Sequence, residues 1–491
     1  MKSNSNYSIF ELKNLLLEKK ISSTEITKYY LERIKKSDLN AFITICEEVA
    51  LKQAKEADDL IAKGESRALT GIPIGIKDAF CTKGILTTMA SKMLSNFIPQ
   101  YESTVTQRLL DAGIVNLGKT NMDEFAMGSR NKNSYYGQAF SPWKITGDSA
   151  RLIPGGSSGG SSAAVSGDLC VAALGTDTGG SVRQPAAFCG LVGYKPSYGS
   201  VSRSGMIAYA SSLDQAGFLT KTVKDAALLF ETVSGWDDKD STLSRHSFKG
   251  LLSGITGDIK GVKIGIPKEF LTEGSNPEII ANLQETVKEL EKLGAIVKEI
   301  SLPNVKHSIK LYYFISTVEA ASNLARFDGI KYGFSANQDT LPHNITYEEF
   351  ISKNRGEGFG KEVKNRILTG TAVLMAGKYD ETYKKAMQLR SVICSEFTDS
   401  FKDVDLILNH TTPNLALRVN ETQNQLEEYL NDILTVPINI AGLPSISVPT
   451  ILAKDGRPIG LQLSAKPFDD VKLLNTAFAL ESIYNFFQNN Y

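Results

Sequence analysis

Apolar residues recur three and four positions apart through residues 1–70 and predict helices there. Two of them begin with capping boxes, Ser8-x-x-Glu11 and Ser22-x-x-Glu25, ahead of amphipathic runs. A third covers about Ala50 to Lys63 and stops at Gly64. The pattern then changes: residues 72–76 form a short apolar run that reads as a strand ending at Lys77-Asp78. A helix over 104–112 ends at Gly113 and leads into a strand over 114–117, and 171–174 reads as a buried strand. From Val262 onward come a strand (VKIGIP), a helix with Asn276 as N-cap and Pro277 at its first position, Gly294, and a second strand (AIVKEI). That succession is an α/β unit. Residues 305–400 carry little β signal and read as mostly helical. The C-terminal part returns to β (SISVPTILA, a Lys-Asp-Gly turn, PIGLQLSA) and ends in a helix. No internal repeat or low-complexity linker divides the chain. It reads as one large α/β domain over 1–491: N-terminal helices (1–70), a core (71–250), a mostly helical insertion (305–400) that interrupts the sheet, and a return to the sheet (430–491).

Composition narrows the classes. The 491 residues are 42% hydrophobic and 22% charged, ordinary for a globular chain and incompatible with intrinsic disorder. Lys+Arg and Asp+Glu are 54 each, so the net charge is zero, which argues against strong direct binding of nucleic acid but not against a partner that binds it. No secretory leader follows the N-terminus and no run reaches the ~18 apolar residues that span a bilayer. The five cysteines lack CxxC spacing, and the four histidines (His246, His307, His343, His410) have no ligand-spaced partners. A cytoplasmic protein with reduced thiols and no metal site is expected, which leaves the sequons at Asn344 and Asn420 without weight.

Two motifs invite a function and fail on context. Gly113-x-x-x-x-Gly118-Lys119-Thr120 matches a phosphate loop, but such a loop follows a strand and opens a helix, whereas Gly113 closes a helix and the residues after it are strand formers. Gly155-x-Ser157-x-Gly159 matches a nucleophile elbow, but no strand precedes it, and the only late histidine, His410 in DLILNHTTP, reads as a satisfied residue near a strand end. What remains is a pair of hydroxyl-rich glycine loops, GGSSGGS and GTDTGGS. A serine ending a glycine run after a buried strand presents its hydroxyl where backbone N–H groups converge, the geometry of an oxyanion hole. Without histidine, the base for such a serine is a lysine made neutral by burial, which lowers its value of ~10.4 by up to ~3–5 units. Lys77, at the end of an apolar strand, is the first candidate; local sequence does not separate it from Lys119 or Lys195.

The run GGSSGGSSAAV followed by GTDTGGSVRQPAAFCGLVGYKPSYGSVS closely resembles the amidase signature family. The resemblance implies an amidase-type α/β domain, a mixed central sheet flanked by helices, and a Ser–cis-Ser–Lys triad. By motif, Lys77 in GIPIGIKD is the base, Ser157 the bridging serine and Ser181 the nucleophile, with the amides of Thr178, Gly179, Gly180 and Ser181 around the oxyanion. LTGIPIGIKDAF, LGKTNMDEFAMGS, SNLARFDGIKYG, EVKNRILTGT and NDILTVPINIAGLPSISVP are similar to one subfamily, the A subunits of tRNA-dependent amidotransferases. That similarity implies a glutaminase with no cofactor of its own. It would feed ammonia to a B subunit that uses ATP and Mg2+ to amidate Glu-tRNA(Gln) and makes most of the tRNA contacts, with a small C subunit joining the two. A stand-alone amidase acting on other amides is the rival. For a free amino acid, one fixed cation and one fixed anion are needed beyond the triad. Local pattern places Arg366 on a solvated helix face and Asp432 at a cap; the resemblance makes them the grips for the glutamine carboxylate and ammonium, with Tyr313, or its neighbour Tyr312, adding a hydroxyl. Two stretches depart from the family pattern: residues 130–136, where a Thr- and Glu-containing run is usual, and 144–153, which is longer than usual.

Overall fold

The computed structural model describes residues 6–271, 274–337, 342, 344–375, 382–423 and 430–491. His343 lies outside the described residues.

Eleven strands form one sheet: β1 (Phe42–Ile45), β2 (Pro73–Lys77), β3 (Val115–Thr120), β4 (Ala172–Asp177), β5 (Val192–Lys195), β6 (Gln215–Thr220), β7 (Lys263–Pro267), β8 (Ile296–Ile300), β9 (Leu406–His410), β10 (Ser445–Leu452) and β11 (Pro458–Ala465). Their order is β1-β3-β2-β4-β6-β5-β10-β11-β9-β7-β8. The sheet is mixed: β2 runs parallel to both β3 and β4, and β7 to both β8 and β9. Antiparallel pairs link the middle, from β4 through β6, β5, β10 and β11 to β9. Helices flank it, as expected of an α/β chain. The described residues between 305 and 400 lie mainly in the helices Ser308–Asn323, Tyr347–Gly358, Lys361–Leu374 and Tyr383–Ser400.

Local rules hold where their signals are strongest. Both N-terminal capping boxes are formed, Ser8 with Glu11 and Ser22 with Glu25. Gly64 ends its helix in the left-handed conformation, and Asn276 caps the helix that starts at Pro277.

The period of two along the strands decides what each face carries. Ile74 and Ile76 of β2 enter an apolar cluster with Leu12, Ile26 and Val165. Lys77, one residue on, therefore points to the opposite face. On β9, Leu406 and Leu408 join that first cluster while Ile407 joins a second one built from Met89, Phe125, Ile315, Val363 and Ile438. The chemistry described below sits where the carboxyl ends of β2 and β4 meet the all-buried helix Gly159–Ser166, whose sequence GGSSAAVS is small enough to let backbones approach. Among the described residues no helix is long and apolar enough to cross a membrane.

Candidate active site

Lys77 ends β2 fully buried, and three hydroxyls surround its amine: Thr176 Oγ1 at 2.7 Å, Ser158 Oγ at 2.8 Å and Ser157 Oγ at 2.9 Å. The bonding around Ser158 is informative. Its Oγ donates to the Thr176 carbonyl (3.3 Å) and so must accept from Lys77. A neutral amine has two N–H donors and one lone pair. The second donor and the lone pair are shared between the Thr176 and Ser157 hydroxyls, and with the donor on Thr176 the lone pair faces Ser157, the arrangement a base requires. Burial depresses Lys77 to about 7, with the Asp123, Asp177 and Asp214 carboxylates pulling the other way. The neutral fraction of a base with this value grows as pH rises. With Lys77 as the base, kcat/KM should therefore climb through a limb centred at about 7 and level off above it. A profile flat from about pH 6 to 8 would contradict the lysine assignment.

Other lysines match Lys77 in burial but not in surroundings. Lys195 is also depressed to about 7 by burial, yet its amine donates to the carbonyls of Pro196 and Leu443. Lys119 faces Asp78 at 3.4 Å and donates to Phe80 O and Thr87 Oγ1, both at 2.7 Å. It lies inside β3, so the apparent phosphate loop is a helix end followed by a strand. His410 on β9 has its Nε2 3.2 Å from Ser275 Oγ and is held down to about 4 by burial; it bonds to neither candidate serine.

Ser157 is fully buried and follows a cis peptide from Gly156. The Gly156 amide donates to Gln184 Oε1 (3.0 Å), and Gln184 Nε2 donates to the Ser129 carbonyl (3.0 Å). The Ser158 amide donates to the Ser181 carbonyl (3.2 Å), which brings the two glycine loops together. Ser181, unlike Lys77 and Ser157, keeps some exposure, at 9%.

A buried ion pair shapes the loop carrying Ser181. The Asp177 carboxylate accepts from Arg183 Nε and Nη2 (3.0 Å each), Asn439 Nδ2 (2.8 Å), and the amides of Gly180 (2.9 Å) and Val182 (3.2 Å). Burial pushes Asp177 up, but the Arg183 guanidinium more than offsets it and holds the carboxyl below the usual carboxylate range. Gly180 has φ +128°, and a Cβ there would lie 2.2 Å from Thr435 Oγ1. The amide of Gly180 is thus committed to Asp177, which corrects its expected place in the oxyanion hole. The amides of Thr178, Gly179 and Ser181 meet no acceptor among the described residues. Thr178 Oγ1 donates to Asp214 (2.7 Å) and Thr435 Oγ1 to the Gly179 carbonyl (2.7 Å), fixing the loop on both sides.

Nearby lies a cavity of about 300 Å3 whose walls include Ser129, Asn133, Tyr313, Glu362 and Arg366. Arg366 is 6% exposed, so the solvated-face reading fails. Its guanidinium is engaged: Nε donates to Glu362 (2.8 Å), Nη1 to the Tyr209 hydroxyl (2.5 Å), and it lies over the rings of Tyr209 and Tyr313. Tyr312 does not line this cavity; its ring and hydroxyl lie against the Ser181 loop, 2.7 Å and 2.8 Å from where a Cβ on Gly179 would be. Asp432 is half-buried; burial pushes it up to about 8, with Arg366 pulling it down. The Asp432 carbonyl accepts from the amides of Thr435 and Val436, so the residue stands beside the Gly179 anchor. Sequence reasoning does not reach Ser158, Thr176, Asp177, Arg183, Asn439, Tyr209 or Glu362. One signal is available for two of them: Asp177 and Arg183 are opposite charges inside a run of small residues, where a buried charge needs a partner.

The chain belongs to the amidase family, whose model matches residues 25–474. Within that family it is 49% identical over 475 residues to the A subunit of glutamyl-tRNA(Gln) amidotransferase from Wolbachia pipientis subsp. Culex pipiens (strain wPip), covering 96% of each chain. It is 50% identical over 480 residues to the protein of the same name from Ruegeria sp. (strain TM1040), covering 97% of this chain and 96% of that one. The crystal structure of the corresponding A subunit from Thermotoga maritima superposes with a TM-score of 0.80 at 37% identity, covering 98% and 96%.

Proposed function

We propose that this chain is the glutaminase subunit of a tRNA-dependent amidotransferase. Neutral Lys77 takes the Ser157 proton, Ser157 takes that of Ser181, and Ser181 attacks the side-chain amide of glutamine. Amides of Thr178, Gly179 and Ser181 stabilise the oxyanion. The relay then runs in reverse to protonate the leaving ammonia, and water hydrolyses the glutamyl ester. The ammonia passes to a B subunit, which holds ATP and Mg2+ and converts Glu-tRNA(Gln) to Gln-tRNA(Gln) in the cytoplasm; a C subunit completes the heterotrimer. The observation that carries this reading is the hydroxyl cage of the buried Lys77, with Ser157 Oγ 2.9 Å from its amine. The names of relatives near 50% identity over almost the whole chain point to amide transfer and to its tRNA acceptor.

Glutamine selection follows from the cavity walled by Ser129, Asn133, Tyr313 and Arg366. Arg366 takes the carboxylate through the N–H groups that Glu362 and Tyr209 leave, Tyr313 lines the same space, and the ammonium keeps Asp432 ionised when it arrives. Removing either charge strands its counterpart, at about 2–5 kcal/mol of glutamine binding. Arg366→Ala and Asp432→Ala should therefore raise glutamine KM and lower kcat/KM, while Ser181 still reacts with a small uncharged acylating probe. Wild-type glutamine kinetics in both variants would favour a stand-alone amidase acting on other amides.

A further inference from the structure

Asp123 is fully buried beside the serine turn and passes no proton in the relay just described, though its charge acts on Lys77. Its backbone amide donates to the Ser157 carbonyl (3.2 Å). Its carboxylate, packed against Gly156 of the same turn, binds the loop: Oδ2 accepts from the Asn131 amide (2.8 Å) and Oδ1 from the Asn133 amide (3.1 Å). Residues 128–133 supply one wall of the cavity that also contains Tyr313 and Arg366. The fit between turn and wall is tight: a Cβ on Gly156 would lie 2.2 Å from Asp123 Oδ2 and 2.8 Å from the Arg130 amide. One residue therefore touches both the catalytic turn and the glutamine-facing wall.

The surrounding backbone shows that this wall is held rather than relaxed. Among the described residues ten non-glycine positions have positive φ; Asn131 lies within this segment, Phe125 and Ala126 shortly before it, and Met89 and Ala90 in a separate segment hydrogen-bonded to Phe125 and Tyr135. Such conformations persist only where surrounding bonds over-determine them. Here Phe125 donates to the Met89 carbonyl (3.0 Å), Tyr135 to the Ala90 carbonyl (2.9 Å), and Gly160 to Asn131 Oδ1 (3.2 Å). Asp123 supplies the remaining acceptors. Charged acceptors make the stronger hydrogen bonds, and both loop amides depend on this one carboxylate.

We propose that Asp123 is a positioning residue that locks the 128–133 wall to the Gly156–Ser157 turn, so that the glutamine cavity and the nucleophile keep one register. The proposal rests on the glutaminase reading and adds a specificity determinant to it. Asp123→Asn keeps the backbone bond to Ser157 but replaces one loop acceptor by a donor facing an N–H group. The wall should loosen while the turn stays in place.

The test uses the full chain co-purified with its partner subunits, with glutamine kinetics and the labelling rate of Ser181 by a small uncharged sulfonylating probe measured side by side. At about pH 8.5, above the Lys77 limb, so that loss of the Asp123 charge does not change the state of the base, Asp123→Asn should raise glutamine KM about tenfold or more and change the labelling rate by less than about threefold. Asn133→Ala removes the bond from its Nδ2 to the Met127 carbonyl (3.1 Å) together with a side chain of the cavity wall, keeps its backbone bond to Asp123, and should raise KM by a smaller factor. If Asp123→Asn does not fold, Asp123→Glu, which keeps a carboxylate but displaces it from the two loop amides, is read in the same way. Equal losses of glutamine turnover and probe labelling would reduce Asp123 to a structural residue, and an unchanged KM would overturn the proposal. A wild-type complex that labels at Ser181 but hydrolyses no glutamine would instead overturn the glutaminase reading beneath it.

Discussion

Replacing Ser181 by alanine is expected to abolish glutamine hydrolysis and leave the assembled enzyme able to amidate Glu-tRNA(Gln) from free ammonia. The first half follows from the attacking oxygen: among the described residues no other hydroxyl combines exposure with a place at the end of the 178–180 glycine loop, since Ser157 and Ser158 are fully buried against Lys77. The second half follows because the substitution removes only the ammonia source. Lys77→Ala and Ser157→Ala should be nearly as damaging. The three act through one relay, so combined variants should lose no more than the single ones, about four orders of magnitude or more in kcat. Glutamine turnover with and without added ammonium salts, measured on the co-purified complex, separates the two halves. Retention of most glutaminase activity in Ser181→Ala would end the mechanism.

The second large effect is expected at Arg183, which touches no substrate. Arg183→Met leaves the Asp177 carboxylate buried without its cation, and breaking such a pair from one side costs about 3–5 kcal/mol. The unfolding temperature should drop by several degrees and glutaminase activity should fall with it, because Asp177 also holds the amides of Gly180 and Val182 on either side of Ser181. Lysine at this position should rescue little, since it cannot supply the paired Nε and Nη2 donors. The double variant Asp177→Leu with Arg183→Met separates the two roles. Its stability should recover in part, as apolar replacements of buried ion pairs do. Its activity should stay low, because nothing fixes the loop. Recovery of both together would show that the pair serves stability alone.

Sequence carries the elements whose signals are local. The capping boxes at Ser8 and Ser22, the stop at Gly64 and the Asn276-Pro277 start each depend on residues within one turn, and each is found in the structure. Strands β1, β5 and β6 have no such mark. β5 (VGYK) and β6 (QAGFLT) are buried throughout, so they lack the alternation of a half-buried strand and are too short to announce themselves by length. The candidate site divides the same way. A glycine loop ending in serine is visible in one dimension, but the choice among Lys77, Lys119 and Lys195 is not. All three are buried strand lysines, and only the third dimension shows that Lys77 meets hydroxyls, Lys119 a carboxylate and Lys195 carbonyls. Local pattern misreads Arg366 because helix Lys361–Leu374 exposes most of its surface, while that one side chain turns into the cavity beneath Tyr209 and Tyr313. Motif alone puts Gly180 in the oxyanion hole with its neighbours because nothing in GTDTGGS tells which amide Asp177 will take.

The central claim is that glutamine is opened by covalent attack from Ser181 under a lysine-based relay. The most direct measurement is rapid acid quench of the co-purified complex during glutamine turnover, followed by mass spectrometry of the peptide spanning residues 175–189. A glutamyl group esterified to Ser181 is expected in the wild-type protein and absent from Ser181→Ala. A glutamyl adduct on any other residue, or turnover at the full rate with no adduct trapped at any quench time, would contradict it.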